Sequence, residues 1–131
     1  MFCEFYCPTL NQEQKRKVAE GIVEVLSTTL NHPKDKIGVE FKLYRPENLY
    51  FGGKFFTERN GEEGYHLNVF CPTTSKEMKK ELVQKLTAKI EKTLNLPEYA
   101  VRELGITIHE LPYENLGMGG RMLSEMMAGT R

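Results

Sequence analysis

The feature that most constrains this chain is a stretch written twice. Glu47-Asn48-Leu49-Tyr50-Phe51-Gly52-Gly53-Lys54 returns 67 residues later as Glu114-Asn115-Leu116-Gly117-Met118-Gly119-Gly120-Arg121. Both copies read Glu-Asn-Leu, two free positions, Gly-Gly and a base. Upstream, Cys7-Pro8-Thr9 returns as Cys71-Pro72-Thr73 at a shift of 64. At that shift Val18, Ile22, Leu26 and Leu30 fall on Leu82, Leu86, Ile90 and Leu94, and Asn31 and Pro33 fall on Asn95 and Pro97. The second copy is therefore longer by three residues, placed near 102–105. Self-similarity at a fixed period marks one supersecondary unit used twice. A unit of this length cannot close a core alone, so the halves, about 1–58 and 64–131, must pack into a single domain.

Periodicity gives each unit the order strand, helix, strand. Phe2 to Tyr6 is a short aromatic-rich run that Pro8 ends. Asn11 before Gln12-Glu13-Gln14 is a helix start, because its side chain can accept from a free amide of the first turn. Val18, Ile22, Val25, Leu26 and Leu30 make an apolar stripe at helical spacing, and Lys15, Lys17, Glu20 and Glu24 mark the opposite face. Gly21 costs this helix about 1 kcal/mol relative to alanine, which a close approach by another element would explain. From Ile37 the period changes to two, with Val39, Phe41 and Leu43 alternating against Glu40 and Lys42. Asn60-Gly61 between two strand-like runs, 54–58 and 64–70, predicts a hairpin joining the halves. In the second unit, Ser75 opens a helix striped by Met78, Leu82, Leu86, Ile90 and Leu94, and Ile106 and Ile108 mark the closing strand.

A strand, a helix and a second strand imply a parallel pair with a right-handed crossover. Two such units give an α+β fold, a four-stranded sheet with both helices on one face. The other sheet face is expected to carry alternating apolar residues that a partner subunit covers. The run Met122-Leu123-Ser124-Glu125-Met126-Met127 is apolar for a chain terminus and reads as part of such an interface.

Charge excludes several classes. Basic and acidic residues balance at 18 each, and no basic block stands apart, so neither nucleic acid nor an anionic membrane is expected as a partner. No apolar run approaches the about 20 residues of a membrane span, and the start lacks a signal-peptide pattern. Cys3, Cys7 and Cys71 are an odd set without metal-site spacing, which fits a reduced, cytoplasmic setting. His32 and His109 read as surface residues. No metal or cofactor is expected. The paired glycines read as backbone devices for turns with positive φ.

The order of elements and the glycine motif resemble the tautomerase superfamily, in the fused two-unit form of 4-oxalocrotonate tautomerase and the cis-3-chloroacrylic acid dehalogenase type. The resemblance covers nearly the whole chain. It implies a β-α-β-β-α-β fold, a homotrimer, and isomerase chemistry on small 2-oxo or unsaturated carboxylic acids. That chemistry rests on an amino-terminal proline, and here Met1 and Phe2 stand at the start. The resemblance then makes the Met1 α-amino group the base, with Phe2 beside it. Arg102 matches a substrate-binding arginine that opens a strand, Leu116 takes the place of a motif aromatic, and Glu110 before Leu111-Pro112 matches a water-activating glutamate. Loss of the proline supports an alternative, a non-catalytic member keeping the fold as a binding or assembly module. Proximity of Cys3 and Cys7 raises a third reading, redox sensing.

Overall fold

A computed structural model describes residues 1–129, and the side chains of 127–129 are not described. In chain order the elements are β1 (Phe2–Cys7), α1 (Gln12–Leu30), β2 (Gly38–Leu43), β3 (Tyr50–Phe51), β4 (Lys54–Phe55), β5 (His66–Cys71), α2 (Lys76–Leu94), α3 (Glu98–Arg102), β6 (Gly105–Glu110), β7 (Gly117–Met118), β8 (Arg121–Met122) and α4 (Leu123–Gly129). The main sheet has the order β2-β1-β5-β6. β1 pairs parallel with β2 and β5 parallel with β6, while β1 and β5 meet antiparallel with Glu4 opposite Asn68. The fold is α+β with a mixed four-stranded sheet, as the repeat implied.

Local chemistry sets the helix limits. The Asn11 side chain accepts from the Gln14 amide at 2.7 Å, and Gln14 Oε1 accepts from the Asn11 amide at 2.9 Å, so two free donors are met reciprocally. Ser75 Oγ accepts from the Met78 amide at 3.1 Å. Both long helices end on an asparagine in the left-handed region, Asn31 and Asn95, each with φ of 52°. Asparagine tolerates that conformation better than other residues with a Cβ.

The core lies between the helix pair and one sheet face. Cys3, Phe5 and Cys7 of β1 and Leu67, Val69 and Cys71 of β5 meet Val18, Ile22 and Leu26 of α1 and Leu82, Leu86 and Ile90 of α2, all buried. The helices approach closely at Gly21, where an added Cβ would lie 2.8 Å from Lys89 Cγ. That contact accounts for a glycine in mid-helix.

Three expectations need correction. The face away from the helices is polar, carrying Glu4, Glu40, Lys42, His66, Asn68, Thr107 and His109 with the aromatics Phe2, Tyr6 and Phe70. Period two allows one apolar set per strand, and the helix layer takes it. Second, Asn60 and Gly61 do form a turn, with φ of 52° and 84°, but no hairpin spans it. Lys54 and Phe55 pair back onto Tyr50 and Phe51, and β5 already has β1 and β6 on its two edges. The tight hairpins lie instead at Gly52-Gly53 and Gly119-Gly120, where all four glycines have positive φ, as the favoured two-residue loop requires. Third, the three additional residues of the second unit convert the short turn Lys34–Lys36 into α3, so β6 opens at Gly105 rather than at Arg102. Of the apolar C-terminal run, the Met127 side chain lies outside the described residues.

Leu26 and Ile90 occupy equivalent buried places. Truncation of either to alanine is expected to cost about 2–5 kcal/mol, from lost transfer energy plus a cavity, while the exposed Lys17→Ala stays within about 0.5 kcal/mol. Urea unfolding measures both. A Lys17→Ala cost equal to that of Leu26→Ala would contradict the assigned helix faces.

Candidate functional site

The β1–β5 pairing sets the end of β5 beside the start of β1, with Phe70 opposite Phe2. A cavity of about 650 Å³ opens there, within the usual range for small-molecule sites. Met1, Phe2 and Phe70 form one side. The second glycine hairpin and the C-terminal helix form the other with Leu116, Met118 and Leu123. Among the described residues its charged lining is cationic: Lys36 lines it, His32 stands beside it, and no carboxylate does.

Met1 is zipped onto the start of β2. Its carbonyl accepts from the Gly38 amide at 3.0 Å, and its amine donates to the Lys36 carbonyl at 3.3 Å. His32 is half-buried rather than a surface residue. Burial, and then the Met1 amine charge, hold its imidazole below the ordinary histidine value, which favours the neutral ring.

Of the residues singled out in the sequence, Met1, Phe2 and Leu116 line this one cavity. Arg102 and Glu110 do not. Arg102 ends α3, is largely exposed, and pairs with Glu98 one turn back at 3.1 Å. The Glu110 carboxylate accepts from Lys79 Nζ at 2.7 Å and from the Thr74 amide at 2.8 Å. These bonds, the lysine first, hold it below the usual carboxylate range. It fastens the cavity-lining Thr74 instead of facing the cavity itself. Sequence reasoning left Lys36 unassigned and read His32 as a surface residue. Both lie in the turn after α1, where helix periodicity has ended and strand alternation has not begun.

The cysteines are free and buried. Burial pushes Cys3 up to about 12 and Cys7 up to about 11, and raises Cys71 as well. The thiolate is the reactive form, so at neutral pH the three side chains are packing groups and redox sensing finds no support.

Two parallel β-α-β units joined antiparallel, each followed by a glycine hairpin, with a cavity at the start of the first strand, define a class that the comparisons identify. The family described as "Tautomerase enzyme" matches residues 2–59 and 66–126. The chain belongs to the tautomerase family. Among solved structures, a native fused 4-OT superposes with a TM-score of 0.85 at 14% identity, covering 97% of this chain and 99% of that one. A fused 4-OT described as a wild-type asymmetric trimer gives 0.82 at 17%, covering 96% and 98%. A member of the cis-3-chloroacrylic acid dehalogenase family gives 0.80 at 19%, covering 100% and 92%. These likenesses define the fold. Comparison with curated proteins gives no match. No helix is long and apolar enough to cross a membrane among the described residues.

The Glu110 contacts predict a pH signature. Its folded pKa is depressed, so its contribution to stability is present above the unfolded value of about 4.3 and is lost as pH falls through the lower folded value. Lys79→Met removes the largest cause. Carboxyl-carbon NMR should show Glu110 titrating below the ordinary glutamate value in the wild type and moving up in Lys79→Met. An unchanged midpoint would show that the ion pair does not hold it.

Proposed function

We propose that the 650 Å³ cavity binds a small 2-oxo or unsaturated carboxylic acid and supports weak keto-enol isomerisation. The observation that carries this reading is the joining of Met1, Lys36 and an apolar wall in one cavity that no carboxylate lines among the described residues. The substrate carboxylate is held by the Lys36 ammonium, a charge-assisted contact. Phe2, Phe70 and Leu116 pack the remainder of the molecule. As a free base, the Met1 amine accepts the proton of the enol hydroxyl and, as an ammonium, delivers a proton to the neighbouring carbon. One proton leaves oxygen, one arrives at carbon, and the amine is regenerated. Arg102, paired away on α3, has no part in this scheme, and Glu110 acts by holding the wall at Thr74.

Weakness has a physical cause. A primary amine on a rotatable bond is less well aimed than a ring amine, and orientation accounts for about 7–11 kcal/mol of a barrier in the best intramolecular cases. The amine also donates to the Lys36 carbonyl, so its lone pair is free for the substrate after that bond breaks. This contact favours the second reading, in which the cavity binds carboxylates without turning them over. As an assembly, we infer a homotrimer like the fused 4-OT trimer, through contacts that include the polar sheet face.

Phenylenolpyruvate ketonisation, followed by absorbance, tests the site. A slow rate is expected that disappears on acetylation of the Met1 amine, with KM raised about tenfold or more in Lys36→Ala. Undiminished turnover by acetylated protein would exclude the amine. Carboxylate binding without turnover would establish the non-catalytic reading. Light scattering should give a native mass near three chains of 15.1 kDa, and a monomer at micromolar concentration would refute the assembly.

A further inference from the structure

The repeat builds the other end of the β1–β5 pair in the same way, and a second cavity of about 400 Å³ opens there. Its wall is the first cavity rewritten. By the 64- and 67-residue shifts, Tyr65 stands where Met1 does, His66 where Phe2 does, and Tyr6 where Phe70 does. Tyr44 stands where Leu111 does, Phe51 where Met118 does, and Glu103 where Lys36 does. Methionine and aliphatic places have become aromatic, and the cation has become a carboxylate. No lysine or arginine lines this space among the described residues.

We propose that this second cavity binds a small aromatic cation, a ring carrying an ammonium group, so that the two halves of the chain present pockets of opposite charge preference. The proposal does not depend on what the first cavity binds. Aromatic faces carry negative charge density that attracts ammonium and guanidinium groups. The wall already performs such recognition once. The Arg59 guanidinium lies 4.5 Å from the Phe56 ring centroid and 5.8 Å from that of Phe51, donates to the Phe51 carbonyl, and pairs with Glu103 Oε2 at 3.3 Å. Arg59 is itself nearly buried and lines a separate groove rather than this cavity. It holds Phe51 and Glu103 in place and offsets part of the carboxylate charge. Glu103 Oε1 has no partner among the described residues, and Glu103 lines the cavity. His66 Nε2 already has partners within the protein, lying 3.2 Å from Asn68 Oδ1 and 3.1 Å from Thr107 Oγ1. The Tyr44 hydroxyl accepts from the Gly64 amide at 2.8 Å and keeps its own proton to donate.

The test pairs two probes of like ring and opposite charge, tyramine and 4-hydroxyphenylacetate, titrated by calorimetry into the whole assembled protein. Tyramine should bind saturably and 4-hydroxyphenylacetate should not compete with it. Phe51→Ala and Glu103→Gln should each weaken tyramine about tenfold or more, with circular dichroism and melting temperature unchanged. Both positions are exposed, and the glutamine oxygen can still accept from Arg59, so the fold should tolerate them. Glu103→Lys should reverse the preference toward the acid. Absence of saturable tyramine binding at millimolar concentration would overturn the proposal. So would competition by the acid at equal strength, or full affinity in Phe51→Ala.

Discussion

Everything functional in this chain depends on the antiparallel pairing of β1 with β5. Each half on its own is a parallel strand pair with one crossover helix, and its inner face needs a second such unit to complete the core. Joining the halves through β1 and β5 makes one continuous sheet and lays α1 against α2, where Gly21 admits the Lys89 stem. The same pairing is antiparallel, so the start of each central strand meets the end of the other. Two equivalent corners result. Each is walled by the glycine hairpin of the opposite half, which two positive-φ residues hold tightly closed.

Once two equivalent corners exist, side chains alone decide what each can hold. The first sets thioethers and leucines beside Phe2 and Phe70, around a lysine and Met1. The second keeps rings around a carboxylate. The strand pairing and the glycine hairpins are common to both corners, while α3 and α4 belong to the second unit alone. In the proposed scheme the charge at one position per half, Lys36 or Glu103, selects the sign of the ligand each corner favours. Glu110 shows the opposite behaviour. Its carboxylate has both a lysine and a backbone amide, so it is satisfied within the protein and serves to hold the loop before α2.

Much of this was legible in the sequence. The helix stripes of Leu26 and Ile90 repeat because both face one core, and the Asn11 cap follows from the next three residues. Family membership followed from the repeated glycine motif. What failed was long-range competition. Asn60-Gly61 carries strong hairpin chemistry, yet no strand edge was left for it to join. Arg102 matched a strand-opening position by order along the chain, but three added residues extended a turn into α3 and carried its side chain outward. The open sheet face was misread as apolar, although Glu40 and Lys42 alternate plainly with Val39 and Phe41. Lys36 carried no assignment and His32 read as a surface residue, because both lie between periodic elements. A column-by-column reading of the repeat would have exposed the Lys36–Glu103 exchange.

The position of a bound carboxylate tests the account most directly. A crystal structure of the protein with phenylpyruvate should show the acid in the cavity between Met1 and Leu116, its carboxylate within hydrogen-bond distance of Lys36 Nζ and its ring against Phe2 and Phe70. A carboxylate bound at Arg102, or lodged between Tyr65 and Phe51 beside Glu103, would contradict it.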